Sequence, residues 1–318
     1  MKEVILMIKN IAVLGAGTMG LSVAENFAIY GYKVNLFDIN QKQLDLARDV
    51  IKKDLKLLKQ EDLLEGRSIS DVLNNIQYFT DMKAAVKACD FITESIPENL
   101  ELKQNTFKSL DDICPPETIF ASNTSTLRLN DMMLLVSESR KKQMMITHYY
   151  NPAHIMPIVE LSNFENLSED VYKEIEQLFI SINKQPVKIK KDVSGLVANR
   201  IQMALAREVF SIIENDIADP ADVEKALKFG PAFRYATTGQ LEVSDMGGLD
   251  IWKISSDNLL PDLSNGLETN ALLTEKVQNG KLGVKSGEGF FKYDEEVIER
   301  ERFKKRLIHQ LKASKFYM

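Results

Sequence analysis

His148 ends the apolar run M-M-I-T and precedes Y-Y-N-P, while Glu160 follows M-P-I-V. An imidazole titrates near neutrality, so a histidine at a strand end beside a ligand site is a candidate general acid or base. Taken alone, His148 reads equally well as a structural histidine. The interval between His148 and Glu160 leaves room for a loop and a return strand that bring the carboxylate back to the ring. His154 and His309 have no such setting and are expected on the surface. No metal site is expected, because His148 and His154 flank a proline loop rather than share a helix face.

The ligand beside such a base is suggested by the stretch from Ile11 to Asp38. I-A-V-L runs into Gly15-Ala16-Gly17-Thr18-Met19-Gly20, a helical pattern follows, and V-N-L-F ends on Asp38. Gly15 allows a tight turn, Gly17 lets backbone approach a pyrophosphate, and Gly20 lets helix and strand pack closely. Gly15, Gly17, Thr18, Met19 and Gly20 are the candidate phosphate contacts, since the N–H groups opening a helix are unpaired and partly positive. Asp38 stands where a carboxylate can accept both ribose hydroxyls and would repel a 2′-phosphate, so NAD is expected rather than NADP. A glycine triad alone is weak, and a glycine-rich βα turn is the alternative. Strand, helix, second strand and acid in order supply the context the motif requires.

The elements that must position these residues read as an α/β fold. Apolar runs at 11–14, 34–37, 91–93, 118–121, 144–147, 158–161 and 187–189 predict strands, most of them separated by helical patterns. That alternation implies a Rossmann-type, doubly wound, mainly parallel sheet. After Asp38, Leu44, Ala47, Ile51, Leu55 and Leu58 form one buried helical stripe. Lys52, Lys56 and Lys59 share another face, fit either to meet substrate phosphates or simply to be solvated. Beyond Lys191 no strand is convincing. An apolar helix is expected from near Gly195 through Ile213, Asp219-Pro220 opens another, and a charged surface helix lies between Asp294 and Lys315. The fold expected is therefore a Rossmann-type domain over 1–191 followed by an all-helical C-terminal domain over 192–318. The long helix carries more apolar surface than a small domain can cover, so a homodimer through the helical domain is expected.

Composition narrows the class. A chain of 318 residues can bury a large core in two domains. Its net charge of −6 suggests neither nucleic acid nor membrane as a partner. Two cysteines, Cys89 and Cys114, stand outside any metal spacing, and a reducing cytoplasm is the simplest setting. The run V-I-L-M-I before Lys9 is too short for a secretory or spanning segment and is expected to lead into the first strand.

Six ordered segments carry a family resemblance. They are G-A-G-T-M-G with Asp38, E-S-I-P-E-N-L-E-L-K, A-S-N-T-S, H-Y-Y-N-P with V-E, D-V-S-G-L-V-A-N-R, and K-L-G-V-K-S-G-E-G-F-F-K-Y. Over nearly its whole length the chain resembles the 3-hydroxyacyl-CoA dehydrogenase family. The resemblance implies that His148 is the base for the substrate hydroxyl and that Glu160 orients and stabilises it. It implies that Ser125 and Asn199 bind the reacting oxygen, and that Glu98, Lys103 and Asn123 lie near the nicotinamide ribose. Asn199 as a helix brace and Ser125 as a turn hydroxyl are the structural alternatives.

Departures from the acyl-CoA pattern bear on the substrate. Pro157 stands where acyl-CoA members usually have lysine, and Ser194 and Gln240 replace usual prolines. Gly230-Pro231-Ala232-Phe233-Arg234-Tyr235-Ala236 is similar to the lambda-crystallin (L-gulonate) and carnitine dehydrogenase branch, which acts on free hydroxy acids. Arg234 suits a carboxylate clamp, or else a surface or inter-subunit salt bridge. The expected activity is oxidation of a short-chain L-3-hydroxyacyl-CoA. The alternatives are oxidation of a free hydroxy acid such as carnitine or gulonate, and a non-catalytic crystallin-like role. Retention of His148, Glu160, Ser125 and Asn199 argues against the last.

Overall fold

The computed structural model describes residues 8–314, so the N-terminal apolar run before Ile8, and Lys315, lie outside the described residues. The chain divides into two compact units, one ending at Val197 and the next beginning at Ala198. In the first unit, eight strands form one sheet: β1 (Asn10–Leu14), β2 (Lys33–Phe37), β3 (Ile76–Phe79), β4 (Phe91–Glu94), β5 (Ile119–Ser122), β6 (Met144–Tyr149), β7 (Ile158–Ser162) and β8 (Gln185–Ile189). Its helices are α1 (Thr18–Ile29), α2 (Gln41–Gln60), α3 (Ile69–Leu73), α4 (Met82–Val86), α5 (Leu100–Ile113), α6 (Leu129–Met132), α7 (Glu138–Lys141) and α8 (Glu169–Ser181).

The strand order is β3-β2-β1-β4-β5-β6-β7-β8. Every neighbouring pair is parallel except β6 and β7, which run antiparallel. This is the doubly wound, mainly parallel sheet that the alternation of runs predicts. All seven apolar runs form strands. β3 is an addition: Ile76–Phe79 carries Gln and Tyr at its centre and pairs only with β2 at the sheet edge. Its polar centre leaves no apolar run for the sequence to announce.

α2 buries the predicted stripe of Leu44, Ala47, Ile51, Leu55 and Leu58, and Asp54 is buried with them. Its N-terminus is capped by Asn40, whose side chain accepts from Lys42 N–H at 3.0 Å. The order turns back between β1 and β4, and in doubly wound sheets such a switch point opens a crevice beyond the strand ends.

The second unit contains α9 (Ala198–Glu214), α10 (Pro220–Phe229), α11 (Pro231–Tyr235), α12 (Gln240–Gly247), α13 (Leu249–Leu259), α14 (Ala271–Gln278) and α15 (Glu296–Ser314). Among its described residues the extended pairing is confined to isolated bridges among Gly283, Glu288 and Lys292. α9 starts later than its apolar pattern suggests, because Gly195 and Leu196 both have positive φ, at 77° and 47°. Asp219 and Pro220 open α10, although the Asp219 side chain makes no cap bond. Among the described residues no helix is long and apolar enough to cross a membrane.

Candidate functional site

The glycine turn is built as its residue types require. Gly15 has φ of 92°, and a Cβ there would lie 2.6 Å from the Ser95 carbonyl oxygen. A Cβ on Gly20 would meet the Gly15 carbonyl oxygen at 1.7 Å, so α1 can approach β1 only through glycine. A Cβ on Gly17 would meet nothing within 4 Å, and Gly17 lines a cavity of about 1080 Å³. Gly15, Thr18, Met19, Asp38 and Ser95 line the same cavity. It lies beyond the ends of β1, β2 and β4, where the strand order turns back. Gly17 is the N-cap of α1 and offers no side chain to the first N–H groups, which leaves them to a phosphate. Asp38 is locked in place: its Oδ2 accepts Ala16 N–H and its Oδ1 accepts Asn40 N–H, each at 2.9 Å. A dinucleotide fits this combination of open glycine, free helix end and fixed acid.

Beside the turn, a charged network braces the loops after β4 and β5. Lys103 is only 1% exposed, with Nζ 2.7 Å from Glu94 Oε1 and 3.2 Å from Glu98 Oε2. Glu94 also accepts Ile96 N–H and the Ser122 hydroxyl. Glu98 Oε1 accepts the Thr124 hydroxyl, the Ser125 and Thr126 N–H groups, and the Thr126 hydroxyl. Burial works to raise the Glu98 carboxyl, but the Thr124 hydrogen bond and the Lys103 charge outweigh it and hold it at about 2. Asn123 ties this loop to β6, its Oδ1 accepting Tyr149 N–H at 3.0 Å. The sequence does not single out Glu94 or Ser122; a glutamate in an otherwise apolar strand, nine residues before a lysine on a helix, is the signal that finds them.

His148 and Glu160 stand opposite one another across the antiparallel β6–β7 pair. His148 Nδ1 lies 2.7 Å from Glu160 Oε2, and both side chains are buried. The second carboxylate oxygen, Oε1, accepts Val197 N–H at 2.8 Å. With Nδ1–H donating to the carboxylate, the Nε2 lone pair is the ring's remaining acceptor, the tautomer a general base needs. Ser125 lies in the loop after β5, its carbonyl accepting Gly195 N–H at 3.3 Å. Lys52, Lys56 and Lys59 are exposed on α2, away from its buried stripe. In the second unit, Asn199 is half-buried in the first turn of α9 and Arg234 is exposed on α11.

His154 is not a surface residue. It is 8% exposed, and its Nδ1 lies 2.7 Å from Ser22 Oγ and 3.4 Å from Glu25 Oε2. Its Nε2 faces Asp54 Oδ2 at 4.0 Å. Glu25, Asp54 and His154 are all buried, and each offers a metal-capable atom within 4.8 Å of the others, a grouping that the sequence spacing did not suggest. Sequence reasoning missed it because the partners come from α1 and α2, far away along the chain. His309 is exposed as expected.

Comparison with known proteins agrees with this architecture. The NAD binding domain of 3-hydroxyacyl-CoA dehydrogenase matches residues 10–193, and the C-terminal domain of that family matches residues 195–293. The chain is 33% identical to 5-formyl-3-hydroxy-2-methylpyridine 4-carboxylate 5-dehydrogenase of Mesorhizobium japonicum, over 94% of this chain and 96% of that protein. It is 30% identical to a probable 3-hydroxybutyryl-CoA dehydrogenase of Bacillus subtilis, over 91% and 99%. It is 34% identical to the human lambda-crystallin homolog, over 73% and 72%. A crystal structure of a 5-formyl-3-hydroxy-2-methylpyridine 4-carboxylic acid 5-dehydrogenase, described as an NAD+ dependent dismutase, superposes with a TM-score of 0.88 over 97% of this chain and 99% of that one, at 30% identity. With an NAD-binding sheet domain and a helical C-terminal domain both matched, the chain belongs to the 3-hydroxyacyl-CoA dehydrogenase family.

Proposed function

We propose that this chain is an NAD-dependent dehydrogenase of a small, carboxylate-bearing substrate, with His148 as the base and Glu160 as its partner. The observation that carries the reading is the buried His148–Glu160 pair at 2.7 Å on adjacent strands. NAD supplies the acceptor for the hydride that leaves the substrate carbon. His148 Nε2 takes the hydroxyl proton, and the Glu160 carboxylate offsets the positive charge that then develops on the ring. Ser125 and Asn199 hydrogen-bond the reacting oxygen. Glu98, Lys103 and Asn123 keep the loops near the nicotinamide ribose in place, and Asp38 selects NAD over NADP. The first unit holds the cofactor, while the second, helical unit binds substrate and forms a homodimer. Burial pushes the Cys89 and Cys114 thiols up to about 12 and about 11, and unreactive free thiols suit the cytoplasm proposed for the chain.

Two observations favour a free acid. A relative matched over both units, the Mesorhizobium japonicum dehydrogenase, takes, by its name, a pyridine carboxylate. The segment around Arg234 is similar to the free-acid branch, and Arg234 is an exposed cation that could clamp a carboxylate bidentately. A second reading, a short-chain 3-hydroxyacyl-CoA, is favoured by the Bacillus subtilis relative and by the exposed Lys52, Lys56 and Lys59.

One panel tests both readings: acetoacetyl-CoA, carnitine, gulonate and a hydroxymethyl- or formyl-pyridine carboxylate, each with NAD or NADH. Turnover confined to free acids, and lost in Arg234→Met through a raised KM, supports the first reading. Efficient reduction of acetoacetyl-CoA with no activity on the acids selects the second. His148→Gln should lower kcat by roughly 10²-fold or more in either case. Wild-type kcat in that variant removes His148 from the mechanism.

A further inference from the structure

The loop of residues 150–157 joins the strand carrying His148 to the strand carrying Glu160. It is held from two sides. On one side, Lys184 Nζ donates to the carbonyls of Ala153 and Met156, and Gln185 N–H donates to the Pro157 carbonyl at 2.7 Å. On the other side stands His154. Its backbone N–H donates to Ser22 Oγ at 3.0 Å, and the same hydroxyl lies 2.7 Å from its ring Nδ1. Ser22 and Glu25 belong to α1, whose first turn lines the nucleotide cavity. Asp54 belongs to α2, the helix that follows Asp38.

We infer that His154 is a positioning residue: by pinning loop 150–157 to α1 and α2, it fixes the His148–Glu160 pair relative to the nucleotide turn. The inference rests on the proposed role of His148.

A metal ion is the alternative occupant of this cluster, because one atom from each of Glu25, Asp54 and His154 lies within 4.8 Å of the others. Here Nδ1 faces Ser22 and Glu25, while Nε2 faces Asp54. The imidazole therefore lies between two buried carboxylates from two helices, with Ser22 at hydrogen-bond distance from one ring nitrogen. One ring thereby joins the helix that opens at the phosphates, the helix behind the ribose acid, and the connection between base and partner. Loss of the ring should leave each of these elements formed but release their mutual register. A misplacement of about 1 Å can cost about two decades in rate without weakening cofactor binding.

The test uses the full chain and whichever compound of the panel is turned over. His154→Gln should lower kcat by roughly 10- to 100-fold while the KM for NAD and the NADH Kd stay within about twofold. The primary deuterium isotope effect on kcat should rise as hydride transfer becomes rate-limiting. Removing the ring leaves Glu25 and Asp54 facing each other, so Ser22→Ala provides a milder lesion that keeps every charge. It should lower kcat in the same direction by roughly threefold or more. His148→Gln is run alongside. If it retains activity, the proposed mechanism fails. If it is inactive while folded Ser22→Ala and His154→Gln keep wild-type kcat and isotope effects, the positioning role fails. A stoichiometric divalent metal in the purified protein, absent from His154→Gln and whose chelation reproduces the loss of kcat, also overturns the ring's role as a direct pin.

Discussion

Both carboxylate oxygens of Asp38 accept backbone N–H groups, so its charge is fixed at the cavity rather than free to swing away. A 2′-phosphate would bring further negative charge to within a few ångströms, which costs several kcal/mol at most in a partly buried site, of the order of 4 kcal/mol. Wild-type kcat/KM should favour NAD over NADP by at least about tenfold, and Asp38→Ser should narrow that ratio. A wild-type preference for NADP would remove Asp38 from cofactor selection. Glu98 makes a prediction in pH. Its carboxyl titrates at about 2 in the folded chain against 4.5 ordinarily, so its contribution to stability is complete above 4.5 and is lost as pH falls toward 2. Acid unfolding of Glu98→Gln, followed by circular dichroism, should therefore show a shallower loss of stability between these values; a slope equal to wild type would show that the loop network does not stabilise the fold. At this scale His148 and Glu160 are legible in the sequence because His148 ends one apolar run and Glu160 lies inside the next, across a proline loop. His154 is not, because its burial depends on Ser22, Glu25 and Asp54. The signal lies in those partners: a glutamate inside the wholly buried stretch of α1 and an aspartate on the stripe of α2 must find polar partners.

The strand–turn–helix element shows how one motif uses glycine for two different reasons. At Gly20 a methyl group would collide with the Gly15 carbonyl, so Gly20→Ala must push α1 off β1. At Gly17 a methyl group meets open space on the cavity side, where a pyrophosphate would lie. Gly20→Ala should lower the thermal midpoint by several degrees, consistent with a loss on the order of 1–3 kcal/mol from overpacking. Gly17→Ala should keep the wild-type midpoint and lose NADH affinity, measured by fluorescence titration, by about tenfold or more. Equal stability losses in both variants would mean that Gly17 serves packing and not ligand approach. The pattern of apolar runs is enough to locate seven strands, because central parallel strands are buried on both faces and must be apolar throughout. It also finds the edge strand β8 through Val187 and Ile189, but misses the other edge, β3, whose Gln77 and Tyr78 break any apolar run. It also leaves undetermined that β6 and β7 run antiparallel, the one reversal in the sheet, although the His148–Glu160 reading requires a return strand at that place.

For the whole molecule, the unresolved demand is the apolar surface of the helical unit. α9 has no buried residue in the single chain, with Ile201 67% and Met203 61% exposed, and Phe229 and Phe233 are exposed on neighbouring segments. Scattered apolar residues are ordinary on a surface, but a long helix with none of its residues buried lacks the packed face that normally stabilises it. A second copy offers the same helix in return, and a two-fold interface makes one sequence serve both sides. Light scattering at micromolar concentration should give a mass near twice 36.1 kDa. Ile201→Asp with Met203→Asp should shift it toward one chain. The nucleotide cavity is lined only by residues between Leu14 and Thr106, so NADH binding should survive that shift and report that the first unit remains folded. A wild-type chain that is monomeric throughout this range would reject self-association and leave the helix without the partner that its sequence pattern demands.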